Sequence, residues 1–356
     1  MPKTNLKALS KEELEAFVST SGLPAFRANQ LLHWIYDRRV SSVHDITEFS
    51  KGLRETLEEQ TYISNLTLLE QRVSNDGTEK FLFGLEDGES IESVLIPDNH
   101  RLSLCISSQV GCAMRCTFCL TGKLCLKRQL RAFEIVDQII SVSRIIARSS
   151  RRRHPSHPGG EGTDLRITNI VLMGMGEPLA NFDEVVDALW RITEYLRIPK
   201  RRITLSTAGI VPGIRKLPER APRINLAISL NASTDAVRDR IMPVNLTYPI
   251  TALLDACRKF PLQPGRRITF EYVLLKHVND SLEDAKRLAL LLRGISAKVN
   301  LIPFNPYDGS GFQRPDDEKV VAFQEVLTSK NLAAFVRKSK GRDILAACGQ
   351  LKAGYH

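Results

Sequence analysis

From about residue 102 onward, short apolar runs alternate with stretches whose apolar positions recur every three or four residues. The runs are SLCISS (103–108), ITNIVLM (167–173), RITLS (202–206), INLAISL (224–230), RITFEYVLL (267–275), KVNLIP (298–303) and LAAFV (332–336). Rich in Ile, Val and Thr, they predict strands. The intervening stretches predict amphipathic helices. The clearest is 182–196, with Asn181 as N-cap, Glu184 three residues later, and a stripe of Phe182, Val185, Val186, Leu189 and Trp190 that Pro199 ends. Repeated strand–helix units imply a parallel sheet with right-handed crossovers. About six such units are too few for a closed eight-fold barrel. They fit a partial TIM-like barrel or an open doubly wound sheet, both α/β.

The chain before residue 100 follows other periods. Residues 1–60 read as a small helical unit. Ser10 and Glu13 form a capping-box pattern ahead of Leu14, Phe17 and Val18, Gly22 and Pro24 stop that helix, and AFRANQLLHWIYDRR (25–39) predicts a second helix with a basic end. Residues 61–100 read as strands broken at Asn75-Asp76-Gly77 and Asp87-Gly88, both hairpin signals. The boundaries expected are therefore a helical accessory unit at 1–60, a β-hairpin extension at 61–100, a core at 101–346, and a C-terminal segment at 347–356. Within the core, ARSSRRRHPSHPGGEGTD (147–164) is polar and rich in Arg, Ser, Pro and Gly, which predicts a disordered surface loop.

Composition narrows the function classes. No run of about 18 apolar residues occurs, so no membrane span is expected. The polar start MPKTNLKALSKEELEAF lacks the apolar stretch of a signal peptide. A cytoplasmic location with reduced thiols follows as an expectation. The seven cysteines then read as ligands, reactive groups or small core residues. Lys plus Arg number 50 against 40 Asp plus Glu, a formal charge of +10, which leans towards a polyanionic partner.

Three of those cysteines, Cys112, Cys116 and Cys119, fall in GCAMRCTFCLTG (111–122) directly after the first core strand. Two centres suit them. Structural zinc would take Cys125 as a fourth ligand, although zinc sites generally use paired C-x2-C knuckles and four protein ligands. An iron–sulfur cluster would be held by three thiolates, filling three irons of a 4Fe–4S cubane and leaving the fourth open, as a catalytic site needs. In parallel βα folds the loops after the strands form the active site, which is where the cysteines sit.

Other strand ends carry small polar groups. After the second core strand comes GMGEP, with Gly176 and Glu177. It is not a phosphate loop, lacking Gly-Lys-Ser/Thr. A carboxylate at such a turn suggests a cation, such as an amino group, to be held. The third strand ends at Ser206, the fourth at Ser229-Leu230-Asn231, and the sixth at Asn305 in IPFNP. Each alone reads as a turn or cap residue. Together they ring one rim above an open iron.

The C-x3-C-x2-C spacing with GMGEP resembles the radical S-adenosylmethionine (SAM) superfamily. CISSQVGCAMRCTFC (105–119), MGMGEPLAN (173–181), RRITLSTAGIVPGI (201–214), NLIPFNP (300–306) and GRDILAACGQL (341–351) are similar, more narrowly, to the radical SAM 23S rRNA adenine carbon-2 methyltransferases, many of which also act on tRNA. The similarity runs from about residue 10 to the C-terminus. It implies the partial (βα)6 barrel, a 4Fe–4S cluster on Cys112, Cys116 and Cys119, and two SAM molecules per turnover. It places Gly176, Glu177, Ser206, Ser229, Leu230, Asn231 and Asn305 at SAM contacts.

The chemistry implied is that one SAM methylates a cysteine matching Cys348, and a second is cleaved at the cluster to a radical that takes hydrogen from the S-methyl group. The carbon radical then attacks carbon 2 of an adenine, adenosine 2503 of 23S rRNA or adenosine 37 of tRNA. A cysteine matching Cys105 resolves the adduct, leaving a transient disulfide, and Glu92 matches the proton acceptor. Expected partners are 23S rRNA before full ribosome assembly, tRNA, and an electron donor such as flavodoxin, with the chain a monomer. Two departures stand out: Cys125, where many members have Gly, and the long insert at 147–164. Relatives that methylate carbon 8 tend to have Ala where this chain has Pro178, which favours carbon 2. On the residues alone, Cys348 and Cys105 read as small buried groups, and an unperturbed thiol is only a few per cent thiolate at neutral pH.

Overall fold

The structure, a computed structural model, describes residues 3–98, 101–152 and 166–351. A short parallel pair, β1 (Thr4–Asn5) and β2 (Thr61–Tyr62), clasps the N-terminal unit. That unit holds α1 (Lys11–Thr20), α2 (Phe26–Leu32), which continues as a π turn at His33–Asp37, and α3 (Lys51–Gln60). The capping box at Ser10 and Glu13 forms as the sequence predicts. The helix α3 has no counterpart in the sequence reading; its apolar positions are sparse, with Leu57 its buried residue.

An antiparallel meander follows: β3 (Thr67–Val73), β4 (Glu79–Gly84), β5 (Ser90–Asp98) and β6 (Arg101–Cys105). Gly77 and Gly88 turn its hairpins at φ of +80° and +85°, conformations that favour glycine. A loop closed by β7 (Gln109–Val110) against β8 (Arg128–Gln129) carries the short α4 (Leu120–Lys123). The chain then alternates: α5 (Ala132–Arg152), β9 (Asn169–Leu172), α6 (Phe182–Glu194), β10 (Ile203–Thr207), α7 (Val211–Arg220), β11 (Asn225–Ser229), α8 (Asp235–Ile241), α9 (Ile250–Lys259), β12 (Ile268–Leu274), α10 (Leu282–Leu291), β13 (Ala297–Pro303), α11 (Asp317–Ser329) and β14 (Ala334–Val336).

One sheet takes ten of these strands in the order β14-β13-β12-β11-β10-β9-β6-β5-β4-β3. From β6 to β14 every neighbouring pair is parallel. The order never reverses, and a doubly wound sheet requires a reversal. Right-handed crossovers that all advance one way leave their helices on one side, so the sheet curls. Strand ends from β9 to β13 share one cavity, which a flat sheet of strands about 4.8 Å apart would hold too far from each other. The architecture is thus the partial TIM-like barrel, and the hairpin extension is the continuation of its sheet.

Three sequence expectations change. Asn181 makes no cap bond to α6; it donates to the Ser108 and Leu130 carbonyls at 2.9 and 2.7 Å. Glu184 instead accepts from the Ala132 N–H at 2.7 Å, at the start of α5. Trp190 is 41% exposed, and Ile192 takes its expected place on the buried face. Residues 147–152, expected to open a loop, are the last turns of α5, and 153–164 of that segment lie outside the described residues.

The N-terminal unit and the barrel share one core, with Leu14, Leu31, Ile35 and Leu57 in the same cluster as Ile135, Ile139 and Leu189. Inside this seam Lys7 pairs with Asp137 at 2.5 Å, and the Lys7 ammonium also donates to the Ser64 carbonyl at 2.6 Å. Burial pushes the lysine down and the carboxyl up. Breaking a buried pair from one side is expected to cost about 3–5 kcal/mol, because the other charge stays buried. Asp137→Ala should therefore lower the urea unfolding free energy by about that much, and the apolar double variant Lys7→Met, Asp137→Leu should recover a large part of it. An Asp137→Ala protein as stable as the wild type would show that the seam does not depend on the pair.

Candidate active site

The three-cysteine loop is shaped by its glycines. Gly111 has φ +78°, and a Cβ there would collide with the Cys125 carbonyl. A Cβ on Gly122 would lie 2.6 Å from the Cys116 carbonyl oxygen. Thr121 donates its hydroxyl to the Leu351 carbonyl at 2.6 Å, and the Leu120 N–H reaches the Gly349 carbonyl at 2.8 Å. The Leu-Thr-Gly after the cysteines therefore ties the loop to the C-terminal segment.

Strand β9 ends in the second glycine turn. A Cβ on Gly174 would sit 2.7 Å from the Ile106 backbone, and one on Gly176 would meet Gln109 at 2.6 Å with φ at +100°. The glycines let two neighbouring strand ends touch. Gly176→Ala combines a collision with an unfavourable backbone region, so it should displace this turn and cut SAM binding at least tenfold by equilibrium titration. An unchanged affinity would mean that the turn does not shape the cleft.

Cys112, Cys116 and Cys119 line one cleft with Gly176, Glu177, Ser206, Ser229, Asn231 and Asn305. Its cavity volume is about 160 Å³, within about 970 Å³ of space that is partly open to solvent. Leu230 does not line it. Its side chain is fully buried, its N–H bonds the Glu271 carbonyl, and its carbonyl accepts from Arg238.

Glu177 accepts from the Leu179 and Ala208 N–H groups at 3.0 and 2.6 Å, so its carboxylate bridges the ends of β9 and β10. Burial nonetheless pushes its pKa up. The Asn231 side chain accepts from the Val273 N–H at 2.8 Å, holding β11 to β12. The Asn305 Oδ1 atom is buried without a partner.

The sequence reading missed two groups. Glu271 lies within β12 and lines the cleft; one carboxylate oxygen takes Asn300 at 2.9 Å and the other is buried without a partner. A charge inside the apolar run ITFEYVLL is the signal that marks it. Arg238 is fully buried and donates to the carbonyls of Ala208, Ser229 and Leu230 at 2.6, 3.1 and 2.9 Å. It clamps the ends of β10 and β11, and burial lowers its pKa to about 10. Nothing in the periodicity of its helix distinguishes it.

The donor set fits a 4Fe–4S cluster. Three sulfurs from one loop edge a cleft with unpartnered acceptor atoms on the facing strands. Burial pushes the Cys112 thiol up to about 12 and raises Cys116 and Cys119 as well. Such thiols become thiolates when a metal displaces their protons. Zinc fits less well. Cys125, the fourth ligand that zinc would take, is exposed and outside the cleft.

Cys348 also lines this cleft, and it shares a second cavity with Cys105, Arg337 and Cys119. The two spaces have Cys119, Met173, Gly174, Ile302, Asn305, Cys348 and Gly349 in common, so they abut. Cys105 ends β6, and burial pushes its thiol up to about 12, with Cys348 close enough to add to the rise. Cys348 keeps an exposed surface although its surroundings are dense; burial raises its thiol and the Arg337 guanidinium opposes that rise. Accessible surface is what a substrate meets, so Cys348 is reachable from the cleft. All seven cysteines are free thiols, so the disulfide expected between Cys105 and Cys348 is not formed in this state.

The hairpin extension fixes the Cys348 segment. Ser74 and the Asn75 N–H both donate to the Asp343 carboxylate, at 2.6 and 3.1 Å, and the Gly341 N–H donates to Asp76 at 2.9 Å. Hydrogen bonds from Thr78 and Gly341 outweigh burial and hold the Asp76 pKa down at about 2. Lys80 spans from the Leu345 carbonyl to Glu92, which it pairs at 3.0 Å. Glu92 itself is buried on β5 and lines neither cavity.

Comparisons with known proteins agree with this geometry. The profile described as the ribosomal RNA large subunit methyltransferase N-terminal domain matches residues 4–63, and that of the radical SAM superfamily matches 106–289. The dual-specificity RNA methyltransferase RlmN of Pelobacter propionicus is 49% identical over 352 residues, covering 98% of this chain and 96% of the relative. That of Syntrophobacter fumaroxidans is also 49% identical, covering 98% of both chains. The crystal structure of a radical SAM methyltransferase from Sphaerobacter thermophilus superposes with a TM-score of 0.90 at 40% identity, covering 99% of this chain and all of that one. With its cysteine loop, its barrel and its full length matched by these relatives, the chain belongs to the RlmN family of dual-specificity RNA methyltransferases, within the radical SAM superfamily.

Proposed function

We propose that this protein transfers a methyl group from SAM, by way of Cys348, to carbon 2 of adenosine 2503 in 23S rRNA and of adenosine 37 in tRNA. The observation that carries the reading is the placement of Cys348 on the wall between the three-cysteine cleft and the Cys105 cavity. As members of the radical SAM superfamily do, the enzyme uses a 4Fe–4S cluster and SAM; when bound they supply the one-electron chemistry that an unactivated methyl group requires.

The chain's own residues do the rest. Cys112, Cys116 and Cys119 hold the cluster. Gly176, Glu177, Ser206, Ser229, Asn231 and Asn305 frame SAM, with the Leu230 backbone keeping that turn in shape. Cys348, reachable at the cleft, carries the methyl group. Cys105, sheltered in the neighbouring cavity, is placed to receive the Cys348 sulfur once the RNA has been methylated. Glu92 accepts the proton from carbon 2; its place on the same face of β5 as Val94 and Ile96, which line the Cys105 cavity, supports this role.

Residues 1–60 contact RNA, 61–100 brace the Cys348 segment, 101–346 form the catalytic core, and 347–356 present Cys348. The target adenine must leave its stack to enter the cleft, at a cost of a few kcal/mol. That favours 23S rRNA before full ribosome assembly, and folded tRNA with an exposed loop. The reading includes an electron donor of the flavodoxin type, a monomeric state and a cytoplasmic location. No helix of the described residues is long and apolar enough to cross a membrane.

The test is mass spectrometry of digested 23S rRNA and tRNA from cells with and without the protein. 2-Methyladenosine at both positions is expected only when it is present. 8-Methyladenosine would overturn the choice of carbon, and unchanged RNA would overturn the reading.

A further inference from the structure

At the other end of the barrel, the middle of α5, the segment after α6 and the N-terminal unit surround a second cleft, lined by Arg39, Arg166, Arg197, Arg201 and Arg202. Arg202 lies four residues before Ser206 on the same strand segment, about 13 Å at 3.3 Å per residue. The arginines come from three separate stretches of sequence, Arg39, Arg166 and the run 197–202, which the tertiary structure brings together. A solvated charge run does not converge in this way.

Arg197 pairs with Asp37 at 3.2 Å. Among the described residues, Arg166, Arg201 and Arg202 make no ion pair and donate to no helix-end carbonyl. Two arginines elsewhere have carboxylate partners: Arg128 takes both Glu134 and Asp87, and Arg191 takes Asp187. The guanidinium groups of Arg166, Arg201 and Arg202, facing one cleft, repel each other and are complementary to an anion with several oxygens.

We propose that this arginine cleft binds backbone phosphates of the RNA substrate, at the opposite end of the barrel from the reacting adenine. The proposal rests on the RNA-methyltransferase reading. Phosphate contacts position a nucleic acid, while base contacts specify it. A phosphate grip remote from the cysteines fixes the RNA without crowding the cleft that receives the unstacked base. The cleft borders the N-terminal unit through Arg39, so it extends the basic end of that unit's second helix onto the barrel.

The test compares cluster-loaded wild-type protein with the triple variant Arg166→Ala, Arg201→Ala, Arg202→Ala, using a labelled tRNA transcript at several salt concentrations. A control triple variant, Arg293→Ala, Lys319→Ala, Lys330→Ala, removes the same charge from exposed positions near α10 and α11. The cleft variant should bind about tenfold or more weakly at 0.1 M salt. Its log–log salt slope should shrink by about 2 to 3, at roughly 0.7–0.9 for each phosphate that the protein no longer neutralises.

The control should shift affinity less than threefold, and Arg201→Lys, Arg202→Lys should retain most of the salt slope. Equal thermal midpoints, and equal SAM cleavage without RNA, would show that the fold and the cluster site are intact. Unchanged RNA binding in the cleft variant, or an equal loss in the control, overturns the proposal. Pyrophosphate binding that vanishes in the cleft variant while RNA affinity stays constant also overturns it, in favour of a small-anion site. RNA methylation by the wild-type chain is read separately, so loss of this site leaves the enzymatic reading standing.

Discussion

Cys112→Ala, Cys116→Ala and Cys119→Ala each purify without iron–sulfur absorption and without methyl transfer, whereas Cys125→Ala keeps both. This is the expected outcome of anaerobic purification followed by iron and sulfide assay, a visible spectrum and an RNA methylation assay. The three thiols edge the cleft, and Cys125 stands outside it with an exposed side chain. Burial makes each ligand thiol a poor acid, so the thiolates exist through their bonds to iron. Removing one leaves two ligands for a cluster whose fourth iron already lacks a protein ligand, and loss should be complete and not partial. An intact cluster in any one of the three variants, or cluster loss in Cys125→Ala, would replace the three-thiolate arrangement with another ligand set.

Opposite results are expected at the two remote cysteines. Cys348→Ala has no sulfur to carry the methyl group, so methyl transfer falls to nothing and no protein–RNA adduct forms. Cys105→Ala keeps the methyl-carrying sulfur and still attacks, but nothing releases the RNA. It should accumulate as a covalent adduct, seen as a shifted band on a denaturing gel that ribonuclease removes. Packing alone makes the reverse prediction. Cys105 is buried and Cys348 is exposed, so a packing account damages Cys105→Ala, by about 1 kcal/mol, and leaves Cys348→Ala unharmed. Normal turnover in Cys105→Ala, or an adduct in Cys348→Ala, would remove the assigned roles.

The sequence made the strands of the barrel legible because buried parallel strands are near-continuous apolar runs bounded by turns. It made the cysteine loop legible because three thiols at close spacing need an explanation. It misjudged details where a side chain serves a distant element. Asn181 and Glu184 have the spacing of a cap pair for α6, yet one binds two loop carbonyls and the other caps α5. Trp190 fits the apolar stripe and lies partly on the surface, its indole N–H donating to the Arg220 carbonyl at 2.9 Å, because the buried face of α6 is centred on Val185, Ala188, Leu189 and Ile192, to one side of it.

What the sequence determined by itself is local: the element types, the glycine turns, and the set of polar groups at strand ends. Periodicity is a property of neighbouring residues, and it reports which face each element buries. Only the tertiary structure decided between a curled and a doubly wound sheet, since both have the same strand–helix rhythm and differ in strand order. Only the tertiary structure brought Cys105, at the end of β6, beside Cys348 near the chain terminus. It did so through contacts no local pattern encodes: the Asp343 and Gly341 clasps to the hairpin, and the Thr121 bond to Leu351. Hydrogen bonds between segments so far apart in sequence form only after the sheet has set the distance between their ends, and that distance is a property of the whole fold.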